Sequence, residues 1–303
     1  MRLPPAETER FYRIWFALLH DVNNHLHLVP SFPVAPGTEP VSPEVTVQVR
    51  DALWAHDELR ELFISENPAH LPSTDLALVA SWQHRLDDLF IIFRSLSNYT
   101  IFLSQTAPEH AYGVLGLVSM IEETVPLPLP VYTRAVLLPW GHQIIYDSLL
   151  NAYNVVIGPG IRGELQDLYR NLQERVGIIT SLLPEDQETS SAKVRSGITA
   201  RNRKVLTAFR RELAKSGLSS QTLERHVGTL ADFAQTALLQ QDPPRGLLDL
   251  TNVDLEHYLR GHADPAVLTS FKRFARFLLN TGRIDYEVGE ALADRLKELH
   301  VSE

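Results

Sequence analysis

The sequence predicts a mixed α+β chain: helices around a small bent sheet or partial barrel, followed by an all-helical bundle. Three observations predict it. Apolar residues at helical spacing open the chain. Short β-type runs, punctuated by Pro and Gly, occupy residues 90–158. Beyond residue 198 only helical spacing remains. Charge divides at nearly the same place. Residues 1–192 carry 11 Lys and Arg against 23 Asp and Glu, a net of -12; residues 193–303 carry 17 against 14, a net of +3. An acidic first part does not suit general nucleic-acid binding, whereas the basic second part permits it.

The first helix is read from "ETERFYRIWFALLHDVNNHLHL", where Phe11, Ile14, Trp15, Leu18, Leu19 and Val22 share one face. The Pro-rich "VPSFPVAPGTEPVSP" is a loop. One helix is expected from about Pro43 to Glu66, and a third after a cap at Ser73 or Thr74. "FIIFRSLSNYTIFLS" reads as two strands around a polar turn. "AYGVLGL", "VYTRAVLLP", "HQIIYD" and "YNVVIG" read as further strands. "GIRGELQDLYRNLQERVG" is helical, and "IITSLL" closes an acidic α+β domain over 1–183. The polar stretch 184–197 lacks apolar periodicity and is expected to be a linker. In the second domain, 198–303, helices are expected at about 198–216, 220–240, 252–260, 265–281 and 286–299. Ser219 caps one, and Thr251 with Asp254 forms a capping box on another.

The chain has 303 residues, is 44% apolar and has no cysteine, which excludes disulfides, thiol nucleophiles and cysteine-ligated metals. No secretory signal is expected, because "FYRIWFALL" is broken by Arg13 and has no cleavage site after it. No segment reaches the roughly 20 unbroken apolar residues needed to span a bilayer. A cytoplasmic protein without a membrane partner is expected.

The segments "FRRELAKSGLSSQTLERHVGTLADFAQ", "LLDLTNVDLEHYL" and "LTSFKRFARFLLNTGRI" resemble the SAM-like core-binding domain of phage integrases and other tyrosine recombinases. The resemblance covers about 100 residues and implies a helical bundle that contacts DNA. It does not carry over strand cleavage, which in those enzymes belongs to a separate catalytic domain; the His257-x-x-Arg260 of the second part lies inside the stretch that resembles the core-binding domain. Residues 9–183, through "FYRIWFALLHDVN", "FIIFRSLSNYTIFL" and "VLLPWGHQIIYDSLLNAYNVVIGPGI", resemble a family of uncharacterised prokaryotic proteins in which such a region precedes an integrase-like bundle. That resemblance implies an architecture and no chemistry.

The nucleic-acid-binding candidates are Lys204, Arg211, Lys215, Arg225, Lys272, Arg273 and Arg276. Lys204, Arg211 and Lys215 fall within roughly 40° on one helix face, opposite Leu206, Phe209 and Leu213. The alternative for these cations is an ordinary solvated helix surface.

Other constellations are weaker. His20, Asp21, His25 and His27 offer metal-ligand types without a ligand spacing; a polar helix end accounts for them. His142, Tyr146 and Asp147 in "GHQIIYD" offer acid/base groups beside a turn, for which packing and turn closure are the alternative. Arg94 and Arg134 flank strands and read either as anion contacts or as paired surface residues. Gly158, Gly160 and Gly163 in "GPGIRGEL" fit a dinucleotide fingerprint only loosely and read as a strand-to-helix turn. No metal or cofactor is assigned. The leading expectation is a non-catalytic DNA-associated adaptor or regulator. The alternatives are a protein-interaction protein acting through the acidic domain, and a hydrolase with a site near Tyr146 and Asp147.

Overall fold

A computed structural model of the chain describes residues 1–37, 41–155, 157–241, 243–262 and 264–299. It is a mixed α+β protein of two compact units, Met1–Ser190 and Ser191–Glu303. Part of the expected Pro-rich loop and Val156 of "YNVVIG" lie outside the described residues.

In the first unit, α1 (Pro5–Leu26) buries Phe11, Ile14, Trp15, Leu18, Leu19 and Val22 along one face. The single helix expected over 43–66 is instead two, α2 (Pro43–Ala55) and α3 (Asp57–Glu66), parted by a non-helical His56. The break has a packing reason. α2 buries Val49 and Leu53, and α3 buries Leu59 and Phe63. On one continuous helix those pairs would diverge by roughly 80° at 100° per residue, so the kink lets both face the core. In α4 (Ser73–Ser81) neither Ser73 nor Thr74 caps. Pro72 precedes the helix, and its carbonyl takes the Asp75 and Leu76 amides. The Asp75 carboxylate is buried and clamped by Arg10 at 2.7 Å and Arg13 at 2.6 Å, which ties α1 to α4.

A six-stranded mixed sheet follows: β1 (Leu86–Ser95), β2 (Thr100–Ser104), β3 (Ala111–Val114), β4 (Val131–Trp140), β5 (Gln143–Ala152) and β6 (Ile178–Ile179). Its order is β2-β1-β4-β5-β3-β6, and β2 also pairs with β3, so the pairings form a closed circuit. A one-turn helix, α5 (Ile121–Thr124), interrupts the strands where none was expected. β5 ends at Ala152, and the expected strand at "YNVVIG" does not form over Tyr153–Val155. The run "FIIF" is apolar throughout because both faces of β1 are covered. Phe90 and Ile92 join the main core with α1, while Ile91 and Phe93 pack with Leu165, Tyr169 and Leu172 of α6 (Pro159–Arg175).

The stretch 184–197, expected to be a linker, is helical. It forms the first half of α7 (Pro184–Ala214). Pro184 opens the helix, and Glu185 and Asp186 in the first turn suit its dipole. Its lack of apolar periodicity shows instead as exposure. The second unit continues with α8 (Ser220–Phe233), α9 (Asn252–Arg260), α10 (Pro265–Asn280) and α11 (Tyr286–Glu298). The helix expected to reach residue 240 changes to a π turn over Ala234–Leu238. Ser219 accepts from the Thr222 amide, and Thr251 and Asp254 form a capping box. Phe209, Phe233, Phe271, Phe274 and Phe277 make the centre of the bundle, with ring pairs 5.0 to 5.3 Å apart such as Phe233–Phe271 and Phe209–Phe274.

Candidate nucleic-acid interface

The seven cations named from sequence all lie in the helical unit, in two groups. On α7, Val205, Phe209 and Leu213 are buried, while Lys204, Arg211 and Lys215 are exposed. The cations point roughly 140° away from that buried stripe at 100° per residue. Lys215, just past the last helical residue, pairs with Glu212 at 2.8 Å. Among the described residues no acidic partner is recorded for Lys204 or Arg211.

The second group lies on the two helices, α8 and α10, that enclose a buried histidine. His226 of α8 is 1% exposed, and its Nδ1 lies 2.8 Å from the Ser270 hydroxyl of α10. That hydroxyl donates to the Ala266 carbonyl, so His226 is the donor of the pair. Burial, and then the neighbouring Arg273 and Arg225, push the imidazole below its ordinary pKa. Arg225 precedes His226 on α8, and Arg273 lies on α10, the helix that carries Ser270. Arg276 is exposed, and Lys272 half-buried, on the same helix as Arg273. Among the described residues no hydrogen bond or ion pair joins the two groups. α7 and α8 are joined by an Arg210–Glu224 ion pair, and Arg210 lies roughly 120° around α7 from Lys204.

Acid pairing is denser on α9 and α11 than on these helices. Arg260 and Arg295 share Glu256, Arg295 also reaches Glu298, Lys297 pairs with Asp294, and Arg245 pairs with Asp254. By contrast, residues 193–225 and 265–280 hold 12 Lys and Arg against only Glu212 and Glu224, and those acids already pair with Lys215 and Arg210. Such a surface can hold phosphates. It offers little to base edges: Asn202 of α7 is buried, its Oδ1 accepting the Leu247 amide at 2.9 Å. His226 was missed from sequence, although it sits three and four residues from Leu223 and Leu230 on the apolar side of α8.

The depressed His226 pKa gives a prediction with a definite sign. The unfolded chain takes up this proton more readily than the native one, so stability is present above the unfolded value and falls as pH drops below about 6.5. Urea unfolding between pH 7.5 and 5.5 should show a loss that His226→Gln removes. An identical slope in the variant would contradict the assignment.

The remaining candidates resolve into structural roles. Asp147 is fully buried, not at a strand end but within a β5 bulge opposite Val136, where Ser148 has a φ of 74°. Its Oδ2 accepts from Arg50 at 2.9 Å and from the Trp54 indole at 3.0 Å; its Oδ1 accepts the Leu149 amide at 3.3 Å. Burial pushes the Asp147 carboxyl up from its ordinary pKa, and Arg50 and Trp54 oppose that shift. Tyr146 is buried in the main core, and burial raises its pKa above the ordinary phenol value. A cavity of 670 Å³ lies beside them, lined by Val47, Arg50, Trp54, Arg134, Val136 and Leu149 among others, but neither Tyr146 nor Asp147 lines it.

His142 is exposed and bonds Asp186 at 2.8 Å, and Ser181 donates to the same oxygen at 2.6 Å. The carboxylate sits between the serine and the histidine, so no Ser–His nucleophile forms there. Asp186 holds the His142 pKa above its ordinary value. Arg94 bonds Gln166 and stacks on Phe93 and Tyr169, while Arg134 pairs with Asp87 at 3.2 Å. His20 meets the Phe32 carbonyl, His25 the Asp21 carbonyl, and His27 ends α1 in a left-handed conformation. Among the described residues no three His, Asp or Glu are grouped to hold a metal. Gly158 caps α6 in extended backbone, and Gly160 and Gly163 lie within that helix. No protein-family model, curated protein or solved structure matches the chain.

Proposed function

We propose that the chain is a non-catalytic DNA-associated adaptor or regulator. In this reading the helical unit is an integrase-like, SAM-like core-binding bundle without recombinase chemistry. Its companion is the acidic unit, helices around a small bent sheet or partial barrel. The observation that carries the proposal is the uneven acid pairing: α9 and α11 neutralise their own cations, while Lys204, Arg211, Arg225, Lys272, Arg273 and Arg276 have no recorded acidic partner among the described residues. Scattered surface cations would be expected to pair about equally on every helix. The absence of a catalytic assignment rests on Asp147, whose oxygens are already engaged. A cytoplasmic site of action goes with this reading. Among the described residues no helix is long and apolar enough to cross a membrane.

The direct test is a fluorescence-anisotropy titration of the full chain with random-sequence duplex DNA near 50 mM salt. Saturable binding with little preference between sequences is expected, because phosphate contacts position a protein without reading bases. A flat titration would overturn the reading and leave the protein-interaction alternative.

A further inference from the structure

The basic face of α7 is longer than the sites named from sequence. Lys193, Lys204 and Lys215 recur every eleven residues. Eleven residues make about three helical turns, so the three lysines stay within roughly 40° of one line. Arg211 falls on the same line. Between the cations stand Gly197, Ala200 and Ala208, also within roughly 40° of it. Lys193, Gly197, Ala200, Lys204 and Arg211 are exposed, and Ala208 is half-buried. The line is therefore a row of long cationic side chains separated by residues too small to obstruct a partner. From Lys193 to Arg211 it covers about 27 Å at 1.5 Å per residue. No acidic partner is recorded for Lys193 among the described residues.

We infer that α7 is a rail for the phosphates of one duplex, held jointly by Lys193, Lys204 and Arg211, so that the interface begins in the half of the helix that follows no apolar pattern. The inference rests on the DNA reading above and deepens it by choosing duplex over single-stranded DNA. Single-stranded binders stack bases on exposed aromatic rings. The only aromatic residue of α7 is Phe209, which is fully buried. A straight row of charges with nothing to stack on suits the regularly spaced phosphates of a duplex.

The test compares exposed cations on one helix that differ only in direction. Arg195 lies roughly 180°, and Arg203 roughly 100°, from the line; both are exposed. In the full chain, Lys193→Gln should weaken duplex binding roughly three- to tenfold and flatten the log–log salt slope by about 0.9. Arg195→Gln and Arg203→Gln should leave both unchanged, and a single strand of equal length should bind more weakly than the duplex. If Lys193→Gln has no effect while Arg211→Ala weakens binding, the rail is wrong and the DNA reading stands. If neither variant weakens binding, both fall. Equal losses from Lys193→Gln and Arg195→Gln would replace the rail by an undirected charge cloud. Tighter, Lys193-dependent binding to phosphatidylserine vesicles than to duplex would overturn the choice of partner.

Discussion

Asp147→Ala is expected to destabilise the first unit by about 3–5 kcal/mol, the usual consequence of removing one partner from a buried ion pair. The carboxylate is completely buried and satisfies three donors on two elements. Without it, the largely buried Arg50 guanidinium loses the carboxylate to which its Nη1 donates, the Trp54 indole loses an acceptor, and the bulge loses its bond to Leu149. Trp54 is itself fixed between Trp15, with centroids 5.7 Å apart, and the Arg85 guanidinium at 4.8 Å, so the loss spreads into the α1–α2 packing. The double variant Arg50→Met, Asp147→Leu removes both charges and should recover most of the loss. Urea unfolding of the three proteins reads this directly. A single-variant loss below about 1 kcal/mol, the scale of an exposed pair, would remove the structural role assigned to Asp147.

The second large effect concerns the basic faces. Arg211→Glu, Arg225→Glu and Arg276→Glu together change the charge of the helical unit by six, from +3 to -3. Each is exposed with no recorded acidic partner among the described residues, so folding should change little. Duplex affinity should fall at least about a hundredfold near 50 mM salt, since binding to phosphates depends on the cations that displace counterions. A melting transition close to the parent's, measured by circular dichroism, separates lost binding from lost structure. Retained affinity in a folded triple variant would move any DNA contact away from these helices.

The sequence made the strands and the bundle legible where a period was strong. "VYTRAVLLP" and "FIIFRS" announce buried strands, and Phe271, Phe274 and Leu278 announce the core face of α10. Two boundaries were hidden, for opposite reasons. The break at His56 follows from where Val49, Leu53, Leu59 and Phe63 find the core. The helix through 184–197 shows no stripe because little of it packs on the protein; Pro184 at its start and the Glu185–Asp186 first turn are its local signals. The same limit applies to the site. Helical register placed Lys204 and Arg211 together, but it could not show that His226 of α8 meets Ser270 of α10, which requires two helices to be side by side. Nor could it show that Asp147 is held by residues about a hundred positions earlier.

The central claim is that this chain holds DNA through phosphates on α7, α8 and α10. The measurement closest to it is the salt dependence of full-chain affinity for a random duplex, from about 50 to 200 mM salt. Three or more simultaneous phosphate contacts predict a log–log slope of about -3 or steeper, and Arg211→Ala with Arg225→Ala should flatten it by about 2. A slope near zero, or one that both substitutions leave unchanged, would contradict the account.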